Sequence, residues 1–153
     1  NKFKDEVEVT FKIRENTWIK PHIFKHINIP ENFKIVSSAS SFWHLKKSDV
    51  VLSYNSSTLI EGLAAKKIVI MPVFSKKIDW NKSLDVKRAV KVITNQKVFE
   101  KYIKEIINSK INHIDFYKNQ KVIKARNHVI DKYFFNSDGK ADKRMVNFLE
   151  KNI

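Results

Sequence analysis

Asp49-Val-Val-Leu-Ser-Tyr-Asn-Ser-Ser-Thr-Leu-Ile-Glu-Gly-Leu-Ala-Ala-Lys-Lys-Ile-Val-Ile-Met-Pro72 decides the fold. Val50–Ser53 is a short apolar run rich in β-branched residues and reads as a buried strand. Ser56–Ala65 reads as a helix, and Lys67–Met71, closed by Pro72, as a second buried strand. Nearly continuous apolar strands are expected where a parallel sheet is covered on both faces. The turn between first strand and helix carries Ser56, Ser57 and Thr58. Such a turn delivers hydroxyls and backbone N–H groups to a helix N-terminus, where anions bind well. A carboxylate, Glu61, follows one turn inside the helix. The arrangement suits a ligand with a phosphate at one end and a sugar hydroxyl pair nearby, such as a nucleotide or nucleotide sugar.

Outward from this stretch, apolar runs alternate with helical patterns. Val7–Ile13 alternates apolar and polar residues and is expected to be a strand. Thr17–Ile27 is a short, irregular, helical stretch interrupted by Pro21. Phe33–Val36 is a second strand, and Ser37–Ser41 is a loop and N-cap for a helix reaching Lys47. Val86–Thr94 is expected to end in an edge strand. Lys97–Ser109 forms a helix with Val98, Tyr102 and Ile106 on one stripe and Phe99, Ile103 and Ile107 on its neighbour. Ile111–Tyr133 is mostly helical, 136–139 is a turn, and Asp142–Lys151 is a last helix with Met145, Phe148 and Leu149 turned inward. Strand and helix in alternation imply crossover connections and a parallel sheet.

Composition bounds the function. A chain of 153 residues, 42% hydrophobic and 12% aromatic, is long enough for one domain with a real core and is no disordered tail. It has no cysteine, which excludes disulfides and cysteine-rich zinc sites and fits a reducing, cytoplasmic setting. No apolar run is long enough to span a bilayer. The chain opens almost directly on a strand, so the expectation is the C-terminal part of a larger two-domain protein. The net charge is +14, yet only Arg14, Arg88, Arg126 and Arg144 among its 30 basic residues are arginine. Arginine is the preferred residue for bidentate phosphate and base contacts. A lysine-rich solvated surface is therefore the first reading. Attraction to an anionic membrane, placing the protein at its inner face, or to an anionic substrate comes second, and nucleic acid last.

The run from Lys47 to Ile70 resembles the C-terminal nucleotide-binding half of GT-B glycosyltransferases. It is similar above all to bacterial surface and capsular carbohydrate biosynthesis proteins, and more distantly to CDP-glycerol glycerophosphotransferases and UDP-N-acetylglucosamine epimerases. The closing segment Phe135-Asn-Ser-Asp-Gly-Lys-Ala-Asp-Lys-Arg144, a turn leading into a final helix, looks like the end of those carbohydrate proteins. The resemblance covers the chain from about Val7 to its end. It implies a Rossmann-like, three-layer α/β domain with a parallel sheet of about five strands. The donor nucleotide would sit at the carboxyl ends of the strands, and the catalytic base would come from an N-terminal domain. The implied function is nucleotide-sugar binding within a transferase that builds a surface polysaccharide. The alternatives are a nucleotide-sugar epimerase half and a non-catalytic interaction module of the same fold. The donor is a substrate in this scheme, and no cofactor or metal is called for.

Each candidate residue has a structural reading beside the functional one. Ser56, Ser57 and Thr58 either hold a donor phosphate or cap the helix. Glu61 either accepts from the ribose hydroxyls or reaches back to Thr58 in a capping box; the resemblance favours the ribose. Lys12 and Arg14 share a face at the end of the first strand. They act as a phosphate clamp or as an ordinary charged strand end. Relatives often show Lys followed by Pro-His-Pro here, whereas this chain reads Lys12-Ile-Arg14-Glu15. His22 and His26 have helical spacing suited to a metal pair, but no third ligand follows in pattern. Trp43 is expected in the core, and Trp80 at a base or sugar site. With only Gly62 and Gly139, a glycine-rich dinucleotide or Walker loop is excluded. Gly62 is placed where a helix packs closely on a sheet.

Overall fold

The computed structural model describes residues 5–13, 24, 26, 28–37, 40–54, 56–75, 86, 88–111, 116–134 and 138–152. Five strands and five helices are present among them: β1 (Val9–Lys12), β2 (Phe33–Val36), α1 (Ser41–Lys47), β3 (Val50–Leu52), α2 (Thr58–Ala64), β4 (Ile68–Pro72), β5 (Lys91–Ile93), α3 (Gln96–Ile107), α4 (Gln120–Phe134) and α5 (Ala141–Asn152). The expected elements fall within a residue or two of these spans, except in the expected Ile111–Tyr133 helical stretch, where 112–115 lie outside the described residues and α4 accounts for Gln120–Phe134. The Thr17–Ile27 stretch lies largely outside the described residues.

Every strand pairing is parallel, as expected. Among the described residues the expected single sheet of about five strands is not formed. The ladders instead make two small sheets, β1-β2 and β3-β4-β5. In the first, Val9 faces Phe33 and Lys12 faces Val36. In the second, Val50 faces Ile68, and Ile70 faces Lys91. The burial pattern gives a physical reason for the separation. No described residue before Leu45 is buried, and Phe11 and Ile35 of the first pair are exposed. That pair is held by its own contacts: Phe11 stacks on Phe33 at 6.1 Å and meets Phe24 edge-on at 5.7 Å. Asn32 Nδ2 donates to the Val7 carbonyl at 2.6 Å.

The second sheet carries the core. Its central strand β4 is buried from Ile68 to Met71, and alternate residues serve opposite faces. Val51, Val69 and Met71 join Leu45, Leu59, Leu63 and Val129 in one cluster. Ile68, Ile70 and Ile93 join Phe99, Tyr102, Ile103 and Ile106 of α3 in the other. Helices α2 and α4 therefore cover one face and α3 the other, a three-layer arrangement around three strands. The α3 stripe holds except at Val98, which is exposed.

Gly62 does what its sequence position predicts. A Cβ there would lie 3.0 Å from Val69 Cγ2 and 3.3 Å from Val51 Cβ. The closeness of α2 to the sheet depends on the missing methyl. Glycine is not spent on the helix ends. Lys66 takes the left-handed position after α2 with φ 55°. Lys67 N–H donates to the Gly62 carbonyl at 3.0 Å and Lys66 N–H to Leu63 at 3.1 Å, the paired bonds of a Schellman motif. A residue with a Cβ is strained in that conformation. Lys66→Gly should therefore stabilise the fold by roughly 0.5–1 kcal/mol, after allowing for the greater freedom of glycine in the unfolded chain. The midpoint of urea denaturation reads this directly, and an unchanged or lower midpoint would count against the motif.

Two expectations about apolar side chains are corrected. Trp43 is exposed, meeting Phe42 edge-on at 6.2 Å and lying under the Lys46 ammonium at 5.9 Å. Leu45 is the residue α1 buries; Trp43, two positions away, points elsewhere on so short a helix. Met145, Phe148 and Leu149 of α5 are exposed rather than inward. The sequence gives the helix an apolar stripe; the core it was expected to meet is already closed by α2 and α4. Among the described residues, no helix is long and apolar enough to cross a membrane.

Candidate functional site

The turn after β3 is built as a hydroxyl cluster. Ser57 has helical φ and ψ (−52°, −24°), and its side chain caps nothing. The capping residue is Ser56, whose Oγ accepts from the Thr58 N–H at 3.3 Å and lies 3.1 Å from Thr58 Oγ1. A cap accepts from the second or third N–H of its helix, and Thr58 is second after Ser56. The capping box centred on Thr58 is therefore not formed. With Ser56 as the cap, its third position is Leu59, and Glu61 stands two residues too far along to complete a box. Glu61 is half-buried, one turn inside α2, and among the described residues its carboxylate has no side-chain bond. This leaves it available to an incoming hydroxyl donor.

The N-terminal amides are less open than the sequence implies. Leu59 N–H donates to the Ser56 carbonyl at 3.0 Å, and Ile60 and Glu61 N–H both reach the Ser57 carbonyl, at 2.8 and 2.9 Å. With Thr58 N–H on Ser56 Oγ, the amides from Thr58 to Glu61 are satisfied internally. What the turn offers a ligand is hydroxyl oxygen, with Ser57 exposed and Ser56 and Thr58 half-buried.

Lys12 ends β1, at the carboxyl edge of the other sheet. Its ammonium donates to the Ile13 carbonyl at 2.8 Å and to Ser37 at 2.6 Å, tying the ends of β1 and β2 together. Nothing in the described contacts joins it to Ser56 or Thr58. Arg14 and Trp80 lie outside the described residues, as does His22. His26 is exposed. Among the described residues, no group of three His, Asp or Glu is close enough to hold a metal ion.

The C-termini of α1 and α2 are neighbours, since Lys67 Nζ donates to the Lys46 carbonyl at 3.1 Å. Ser40 caps α1 by accepting from Phe42 N–H at 3.2 Å, as expected of the Ser37–Ser41 loop; no described contact joins it to Ser56 or Thr58.

A depression of ≈ 410 Å³ lies elsewhere, at the amino-terminal end of β1 and β2, lined by Asp5, Glu6, Glu8, Glu31, Asn32 and Lys34. Its carboxylates repel a phosphate, so the hydroxyl-lined edge is the better candidate for a nucleotide. The far end of α2 is structural. Arg126 Nε donates to the Leu63 carbonyl at 2.8 Å, its guanidinium lies over Tyr117 at 5.7 Å, and Tyr117 Oη donates to the Lys67 carbonyl at 2.7 Å. Burial pushes the Tyr117 hydroxyl up to about 12, against the opposing pull of the Arg126 charge.

Comparison of the chain with protein-family models, curated proteins and solved structures returns no match.

Proposed function

We propose that this chain is the nucleotide-sugar donor-binding domain of a glycosyltransferase acting in surface polysaccharide biosynthesis. The observation that carries the reading is the parallel β3-α2-β4 unit with paired Ser56 and Thr58 hydroxyls at its carboxyl edge and an uncommitted Glu61 carboxylate one turn beyond. Open parallel sheets bind ligands at that edge. In this scheme Ser56, Ser57 and Thr58 hold the phosphate, Glu61 accepts from the ribose hydroxyls, and Lys12 with Arg14 offsets the charge that develops on the departing nucleotide.

A screen of UDP-, CMP-, CDP- and GDP-linked compounds by thermal shift tests the reading; a ligand at a hundred times its Kd stabilises by about 2.7 kcal/mol. Glu61→Gln then separates the roles. It keeps the size of the side chain and replaces one acceptor oxygen with a donor. Affinity should fall by roughly 1.5–3 kcal/mol, the range for hydrogen bonds to charged groups, with little change in stability. Equal affinity in wild type and variant by calorimetry would remove Glu61 from the site.

One observation favours a second reading, a non-catalytic module of the same fold. The amides from Thr58 to Glu61 at the start of α2 are spent on Ser56 and Ser57. Absence of a thermal shift with every nucleotide in the screen would select it.

A further inference from the structure

Helix α1 presents two adjacent aromatic rings to solvent. Phe42 is 61% exposed and Trp43 57%. Lys46 and Lys47 stand three and four residues further on, so all four side chains share one side of the helix. Leu45, the residue that α1 buries, falls outside that arc. The described ring contacts of the pair stay inside the patch. Phe42 and Trp43 meet edge-on at 6.2 Å, and the Lys46 ammonium lies 5.9 Å from the centre of the Trp43 ring. Phe11 and Phe74, exposed elsewhere, differ in this respect: each rests against a half-buried ring, Phe33 and Phe99. The surroundings of the α1 pair are basic. Lys46 and Lys47 are exposed, Lys67 brings its ammonium to the Lys46 carbonyl at 3.1 Å, and exposed Lys66 precedes it. Asp49 is the only acidic residue between Glu31 and Glu61.

Charge and ring geometry select the occupant of this face. The chain carries +14, so a second copy would bring like charges together, which opposes self-association. A single-stranded nucleic acid needs open ring faces on which its bases stack. Here the two rings are set at 71° to each other and the Lys46 ammonium covers one face of Trp43, which leaves no platform for successive bases. The lysines also lack the planar fork with which arginine grips a phosphate. An anionic bilayer surface asks for neither. Tryptophan has an apolar body and an N–H that keeps it at the level of the headgroups. Lysine lays its stem along apolar surface while its ammonium stays with the lipid phosphates. We propose that the Phe42–Trp43 face of α1 docks this protein onto a bilayer rich in anionic phospholipid, with both rings in the interfacial layer and Lys46 and Lys47 on the headgroup phosphates. The proposal does not depend on the nucleotide reading.

Co-sedimentation of the 153-residue chain with vesicles tests it, using phosphatidylglycerol–phosphatidylcholine mixtures against phosphatidylcholine alone at physiological salt. Wild type should partition onto the mixed vesicles and not onto phosphatidylcholine. The double variant Phe42→Ala with Trp43→Ala should bind the mixed vesicles at least ~10-fold more weakly, because two rings are lost from the interface. Lys46→Gln with Lys47→Gln should also weaken binding by about 10-fold or more, since each lysine near an anionic surface adds to the attraction. The thermal midpoint of the aromatic variant without lipid should match wild type: both rings face solvent, and the bond from position 42 to the Ser40 cap is made by the backbone N–H. Undiminished vesicle binding by the aromatic variant would reduce the effect to net charge and overturn the proposal. So would failure of wild type to bind, or a fall in that variant's midpoint, which would place the rings inside the fold. Two further measurements separate the other occupants. Binding of a labelled oligothymidine that needs the rings, beside vesicle binding that does not, would assign the face to nucleic acid instead. A wild-type dimer in sedimentation equilibrium, dissolved by the aromatic substitutions, would assign it to a second copy.

Discussion

Leu59→Ala should cost the domain about 2–5 kcal/mol, the range for large-to-small changes at fully enclosed aliphatic sites. Leu59 is 0% exposed and belongs to the cluster that joins α2 to Val51, Val69 and Val129. The site has little room to relax. Gly62, three residues on, already holds the helix against the sheet with no spare distance, so α2 cannot settle inward to fill the cavity. The loss would be a large part of the 5–15 kcal/mol that natural domains possess. Met145→Ala is the matched control. It removes a side chain of similar size that is 67% exposed, and should change stability by less than about 0.5 kcal/mol. Urea denaturation of both variants gives the comparison. A cost below 1 kcal/mol for Leu59→Ala would mean that α2 is not docked as described. A second consequence reaches the candidate site. Leu59 N–H closes the Ser56 turn, so loosening the helix should disorder the hydroxyl cluster, and ligand affinity should fall together with stability.

Local pattern carried the reading well wherever a segment meets its partner in the adjacent sequence. The β3-α2-β4 unit was legible because Val50–Ser53 and Lys67–Met71 are apolar throughout and the helix between them begins with three hydroxyl residues. The role of Gly62 followed from its place on the buried side of that helix. What the sequence did not reveal depends on longer-range geometry. An apolar stripe states that a helix has a face to cover and not which surface covers it; hence Met145, Phe148 and Leu149 were expected inside and lie outside. Trp43 misled for the complementary reason: a large aromatic is usually core, but on seven-residue α1 the inward position belongs to Leu45. The division into two sheets turns on backbone pairing, which strands of three to five residues encode weakly. At the candidate site the residue types were legible, while their hydrogen-bond assignments were not. Which of Ser56, Ser57 and Thr58 caps the helix is set by the φ and ψ of Ser57, a choice that three similar side chains leave open.

Arg126→Met should destabilise the domain by about 2 kcal/mol, close to the range for hydrogen bonds made by a charged group. Arg126 belongs to α4, yet it serves the C-terminus of α2, donating to the carbonyls of Leu63 at 2.8 Å and Ala64 at 3.4 Å. A cation at that end also opposes the partial negative charge of the helix terminus. Methionine keeps much of the length and apolar surface, so what is lost is the charge and its fork of donors. Arg126→Lys should recover only part, because an ammonium cannot span both carbonyls as the planar guanidinium does. The neighbouring phenol gives an independent readout. Tyr117 is held near 12, against an ordinary 10.0, chiefly by burial, while the charge and hydrogen bond of Arg126 pull it down. Because the folded value lies above the unfolded one, the contribution is fully present below pH 10 and is lost as pH rises through about 12. Removing Arg126 removes the downward pull, so in Arg126→Met the phenol should titrate still higher than in wild type. Ultraviolet titration of tyrosinate, taken as a difference against Tyr117→Phe in each background, isolates this one residue from the lysines and other tyrosines that ionise in the same window. A phenol that titrates lower in Arg126→Met than in wild type would mean that the variant has let water into the joint between α4 and the α2–β4 turn, with the loss of burial outweighing the loss of the cation.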